Sequence, residues 1–326
     1  MYSNYDNGFA GGVTVRGVPL QQSHPGKVFW VGNNAVALVG EKGASNGNDG
    51  TFLAPFSTLT YAISAASASR GDVIFVRPGY TETVSAAGGL SLSKAGVAIV
   101  GLGTGSMRPT VTLGTANTAS ISVAANNVSI QNFLFKANFL NIATCFDIAN
   151  AQVATDFSVE NCEFRDNSVI LNFVACVKVG TTANIADGLT LLKNKVSAAI
   201  LTNVPAGQTF MVTASIIDRL NVSENVVMYP KDLADTATLI AAGALDLTNA
   251  VIRGNMTFRP ATSSTGHLIS SSSTACSGWV ADNYVAHLDN SAGLIIPTGT
   301  KFSFFRNFSM ITGAADKSAL ENPAAV

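Results

Sequence analysis

LNVSEN, residues 220–225, is one version of a phrase that returns along the chain: an alternating apolar strand that runs into an asparagine. The others are VSIQN (128–132), FSVEN (157–161), LTLLKN (189–194), AVIRGN (250–255), GWVADN (278–283) and FSFFRN (302–307). Their final residues, Asn132, Asn161, Asn194, Asn225, Asn255, Asn283 and Asn307, lie 29, 33, 31, 30, 28 and 24 residues apart. A repeat of this length with small insertions marks a solenoid, in which each unit buries its apolar face only by stacking on its neighbours.

Most units carry a second short apolar strand: ISV (121–123), CFDI (145–148), CVKV (176–179), FMVT (210–213), TLIAA (238–242) and HLISS (267–271). Within each strand the period is two, with Val128 and Ile130, or Phe157 and Val159, facing one way. A unit holding two or three strands and no room for a crossover helix is one rung of a parallel β-helix. The seven asparagines are then expected to stack into an interior ladder, each amide donating to one neighbouring rung and accepting from the other. After the asparagine, the first and third residues often read apolar, as in Phe133 and Phe135; Lys195 and Ser197 depart from that pattern.

Charged residues make up 12% of the 326, and the net charge is −1, which removes the electrostatic footprint of a nucleic-acid or acidic-membrane binder. No apolar run is long enough to span a bilayer. Cys145, Cys162, Cys176 and Cys276 have neither CxxC nor metal spacing, and Cys145 and Cys176 fall at equivalent places in successive rungs, as small core hydrophobes. The N-terminus lacks the pattern of a secretion signal, so synthesis in a host cytoplasm is expected.

Four segments follow. Residues 1–42 form a Gly-rich arm outside the repeat, with Val13, Val15, Val18, Leu20, Phe29 and Trp30 as its candidate attachment residues. Residues 43–72 hold a turn-rich joint and one helix, capped by Ser57, stapled by Phe56 on Tyr61, stopped by Gly71, and laid across the open end of the coil. Residues 73–312 are the solenoid, and 313–326 a cap or tail.

GNDGTFLAPFSTLTYAISAA followed by RGDVIFVRPGYTETV resembles the opening of the pectin-lyase-like, right-handed parallel β-helix family. More narrowly, GGVTVRGVPL and PGKVFWVG joined to that opening resemble β-helix virion proteins of tailed bacteriophages. The resemblance implies an all-β solenoid with an N-terminal capping helix and an extended arm. It also implies a non-enzymatic capsid decoration protein or head spike, on the capsid surface sooner than the tail, docked through its arm on the major capsid protein or another virion protein. A homotrimer is expected, with no cofactor, nucleic acid or membrane. The alternative is a tailspike-type depolymerase, or an adhesin, acting on host surface glycan.

Enzymes of this family make the acidic residues worth weighing. Glycoside hydrolysis needs two carboxyls flanking one bond, and aligning the asparagines would put Glu160 and Glu224 two rungs apart, roughly 9.6 Å by strand spacing, with Lys193 between them. Alternating charge on a solvated face explains the same residues. Asp147 has no acidic neighbour in sequence, and the two tryptophans, Trp30 and Trp279, read as packed. GLGTGS (101–106) lacks the helix of a dinucleotide site, and Arg70-Gly71-Asp72 joins the helix to a strand. Of the sequons at Asn127, Asn221, Asn255 and Asn307, two fall on ladder positions expected to be buried. His24, His267 and His287 lie far apart with no nucleophile motif.

Overall fold

The computed structural model describes residues 26–33, 40, 42–168, 170–199, 208–229, 239–259, 268–271, 273–287 and 301–311, with short strands at Thr14–Val15, Val18–Pro19, Ile295–Ile296 and Ser318–Leu320. The chain winds as a parallel β-helix, laying strands in turn on three sheets. The first sheet runs over ten strands from Val28–Val31 to Lys301–Phe305. The second runs over ten from Thr81–Val84 to Ser318–Leu320, and the third over eight from Leu90–Leu92 to Ile295–Ile296. The second-beat segments of the sequence are the strands of the third sheet.

Alternation along each strand sends one set of side chains inward, and parallel register stacks them. Ile74, Ile99, Ile130, Val159, Leu191, Val222, Ile252 and Val280 form one unbroken interior column of the first sheet. Each such side chain contributes about 1.5–3 kcal/mol by leaving water. In the middle rungs the interior is aromatic: Phe135 lies 4.9 Å from Phe146 and 5.4 Å from Phe164, and Phe164 lies 5.9 Å from Phe210. The four cysteines are free and buried. Cys145 and Cys176 precede paired strand residues Phe146 and Val177, and burial pushes both thiols well above their ordinary pKa.

The capping helix is shorter than the sequence suggests. It spans Leu59–Ala65, and its N-cap is Thr58, whose side chain accepts from the Tyr61 amide; Ser57 is not the cap. The reason is Asn46, whose Oδ1 accepts from the Ser57 amide at 3.1 Å and the Ser57 hydroxyl at 3.0 Å, tying that residue to the joint. Nor does Gly71 stop the helix. The chain turns extended at Ala66, and the Ser67 amide is drawn to Asp72 Oδ2 at 2.8 Å. Gly71 (φ 79°) serves the following turn into strand Val73–Val76. Leu59, Ala62 and Ile63 face the coil, and the rings of Phe56 and Tyr61 meet at 5.0 Å.

The arm also ends earlier than the sequence suggests. Val28–Val31 pairs in parallel with Val73–Val76, so the coil begins there and not at residue 73. Phe29 packs 5.8 Å from Phe56, and Trp30 lies between Phe52 at 4.8 Å and Phe75 at 5.1 Å. These two residues belong to the first rung and not to a free arm. Val15 and Val18 are cross-strand partners in a short hairpin, while Val13 and Leu20 lie outside the described residues. At the other end Ser318–Leu320 adds antiparallel to Phe308–Ile311, covering the last edge of the second sheet.

Candidate functional site

The recurring asparagines lie at the corner between the first and second sheets. Asn194, Asn225, Asn255, Asn283 and Asn307 are fully buried there and form a continuous ladder. Each of the first four gives its Nδ2 to the Oδ1 of the next, at 3.1, 3.0, 2.9 and 2.9 Å. That same Oδ1 also accepts the backbone amide of the asparagine below, as from Asn194 N to Asn225 at 2.8 Å and Asn225 N to Asn255 at 3.0 Å. The second Nδ2 proton goes to a strand carbonyl of the rung beneath, Leu191 for Asn225 and Val222 for Asn255, both at 2.8 Å. One amide thus satisfies several backbone groups that the corner would otherwise bury without partners.

Asn132 and Asn161 are not in this ladder. Their interior counterparts are Phe133 and Cys162, one residue later, and the Cys162 amide donates to Asn194 Oδ1 at 3.0 Å. Cys162 Sγ stands in for an amide oxygen, accepting from the Phe133 amide at 3.5 Å. Asn132 and Asn161 instead occupy the outer position of the bend, in the left-handed region at φ 60° and 50°. In later rungs that place is held by Lys193, Glu224, Gly254, Asp282 and Arg306, with φ between 49° and 65°. The rung at Asn194, whose Lys195 and Ser197 looked irregular, is regular: Val196 between them is the inward residue.

This one-residue offset separates the proposed carboxylate pair. Glu160 stacks in register with Gln131 and Leu192, at the end of the first-sheet strand. Its Oε1 accepts from the Ser158 hydroxyl at 2.6 Å and its Oε2 from Gln131 Nε2 at 3.2 Å. Glu224 belongs to the bend position and pairs with Lys193 at 3.6 Å in solvent. One rung set higher, Asp282 pairs with Arg306 at 2.8 Å. Asp147 has Lys178 beside it in register on the third sheet. Among the described residues no three of His, Cys, Asp and Glu are grouped to hold a metal ion, and no helix is long and apolar enough to cross a membrane.

Two carboxyls are set apart by their surroundings. Asp72 is fully buried, which alone would favour the neutral acid; the Arg70 guanidinium (2.6 and 2.7 Å) and the amides of Ser67 and Lys27 hold it below the usual carboxylate range. Arg70-Gly71-Asp72 is therefore a structural clamp. Asp166, at the end of a second-sheet strand, is pushed up to about 6 by burial, although the Phe173 and Ala199 amides and Gln208 donate to it. The sequons at Asn255 and Asn307 are buried as expected, and Ser120 is buried with its hydroxyl accepting from the Gly88 amide at 3.0 Å. His24 and His267 lie outside the described residues, and His287 is in the strand Tyr284–His287.

Trp279 departs furthest from the sequence reading, being 70% exposed on the outer face of the first sheet. Its neighbour below in register is Val251, also exposed. Around the corner, the outward column of the second sheet changes character with height. It reads Thr81, Thr110, Leu134, Glu163 and Lys195, then Val226, Met256, Tyr284 and Phe308. Alternation in these strands puts the apolar residues outward because the buried place is already taken by Val227, Thr257 and Val285. The signal was in the sequence: two apolar residues flanking a buried one cannot both face the core.

No protein-family model and no curated protein matches this chain. Among solved structures it is similar to a rhamnogalacturonan lyase, with a TM-score of 0.41 and 11% identity, over 86% of this chain and 87% of that one. It is also similar to a GH136 lacto-N-biosidase from Eubacterium ramulus, with a TM-score of 0.32 and 10% identity, over 87% of this chain and 68% of that one. These likenesses are remote, and no residue role is carried across from either.

Proposed function

We propose that this protein is a non-catalytic structural component of a bacteriophage virion, a β-helical spike or decoration protein attached to the capsid surface by its N-terminal end. The observation that carries the non-catalytic reading is the position of the acids. Glu160 and Glu224 fall in different columns, and each is already bonded to its own neighbours. An acid and a base acting on one glycosidic bond must instead face it together.

Attachment by the N-terminal end rests on the first rung. Val28–Val31 is fixed into the first sheet as its terminal strand and so marks the N-terminal end of the shaft. Val28, Phe52 and Leu53 stay exposed at that end, offering apolar surface to a docking partner. The virion assignment itself comes from the resemblance of residues 10–80 to phage β-helix proteins.

The test mixes the full chain, and a version lacking residues 1–25, with phage heads and separated tails and asks which sediment together. Sedimentation of only the full chain with heads is the expected result. Binding to tails, together with release of reducing or unsaturated ends from host polysaccharide that Glu160→Gln or Glu224→Gln abolishes, would replace this reading with a depolymerase.

A further inference from the structure

The outer face of the first sheet changes character near the N-terminal end of the shaft. In its three lowest strands the two outward positions hold Val28 and Trp30, then Val73 and Phe75, then Ala98 and Val100, stacked in register. All six are apolar. In the next two strands the same positions hold Ser129 and Gln131, then Ser158 and Glu160. Val28 is 51% exposed and the other five are half-buried, so one continuous apolar patch faces outward at the foot of the shaft. At its corner edge Arg77 is buried, with its guanidinium 4.9 Å from the Phe52 ring. An apolar patch that stops at a polar boundary marks a contact surface.

We propose that the hairpin of the same chain, residues 13–20, packs on this patch. Thr14–Val15 and Val18–Pro19 pair antiparallel, with Val15 opposite Val18. By the alternation of the sequence, Val13 and Leu20 share the face of that pair, so four aliphatic residues fall on one side and Thr14 and Pro19 on the other. A two-stranded hairpin is marginal in water without a surface to pack against. The sizes agree as well: four-residue strands run about 13 Å, and the patch is roughly 10 Å tall by strand spacing and two outward positions wide.

The length of the intervening chain selects this occupant. Six residues, Gln21 to Gly26, separate Leu20 from Lys27, and such a tether reaches at most about 20 Å. The far strand of the patch, Ala98–Gly101, lies two strand spacings from Val28–Val31, roughly 10 Å, so the tether spans it. A tether this short holds the hairpin at an effective concentration in the millimolar range. At micromolar protein, the hairpin of a second copy cannot compete with it. Sugar recognition would call for polar groups among the rings, and the six outward positions offer none. The inference does not rest on the virion assignment, since the packing is read on the isolated protein.

The test uses the full chain carrying Trp279→Phe, which leaves Trp30 as its one tryptophan. Adding Val15→Asp, or removing residues 1–25, should shift Trp30 emission to the red and raise its quenching by acrylamide while circular dichroism is retained. Should either variant misfold, cysteines in the full chain decide the matter. Val15→Cys with Val100→Cys, treated with a short thiol cross-linker, should link within one chain, the four native thiols being buried. Links only between chains overturn the proposal and give the patch to a second copy. No link, with Trp30 quenched equally whether the hairpin is intact or not, overturns it too and leaves the patch to an outside partner.

Discussion

The corner between the first two sheets is built in two ways in one molecule. In the lower rungs a hydrophobe, Phe133 or Cys162, fills the inside of the bend, and an asparagine takes its left-handed outer position. Asparagine tolerates that conformation better than most residues, so nothing further is required. In the upper rungs the asparagine has moved inside, and the left-handed position falls to Lys193, Glu224, Asp282 and Arg306, which are poorly suited to it. The buried amide compensates by fixing the backbone on either side of the strained residue. The interior follows suit: rings dominate around Phe135 and Phe146, aliphatic side chains around Val222 and Ile252. Strain at a bend can thus be relieved by the residue that bears it or by the one beside it.

The sharpest way to break this comparison is Asn225→Ala. It removes a donor to Leu191 and Asn255 and the acceptor for the Asn194 amide, and denaturant unfolding should show a loss of about 1–3 kcal/mol. Asn161→Gly, at the outer position of the lower corner, should change stability by no more than about 0.5 kcal/mol. Equal effects at the two sites would mean that the two corners do not differ in kind.

Asp166 gives the lower half its own response to pH. Its folded pKa of about 6 lies above the unfolded carboxylate value. The folded state therefore holds a proton that the unfolded state has lost, and this contribution is complete below about pH 4 and lost as pH rises through about 6. Asp166→Asn should flatten the melting temperature over that interval by the equivalent of on the order of 1–2 kcal/mol; an unchanged slope would place the titration elsewhere.

Two smaller effects sharpen the contrast. Cys162→Asn should extend the ladder downward, because the Phe133 amide and the Asn194 oxygen already point at that place; a stability change within about 1 kcal/mol is expected, and a larger loss would show that the aromatic interior rejects the amide. Glu224→Gly exchanges a weak solvent ion pair for relief of left-handed strain, and unfolding should show a gain of a few tenths of a kcal/mol.

The solenoid was legible because its period and its alternation are both written in the apolar residues. The corner was legible only in part, because asparagine suits both the left-handed bend and the ladder, so aligning every repeat on its last asparagine merged two classes. Parity separates them. Val128 and Ile130 stand four and two residues before Asn132, whereas Leu220 and Val222 stand five and three before Asn225. The same parity turns Met256 and Trp279 outward. Ser57 was misread for another reason: the competing acceptor, Asn46, is distant in sequence.

The ladder also makes the length of the shaft a free variable. Every asparagine from Asn194 to Asn283 gives its Nδ2 both to a strand carbonyl of the rung beneath and to the asparagine oxygen of the rung above. Cutting out the 30 residues from Val226 to Asn255 would join Asn225 to Met256 and offer each orphaned group a chemically identical partner. A rod assembled on such a rule can be shortened or extended by whole turns without redesigning either end.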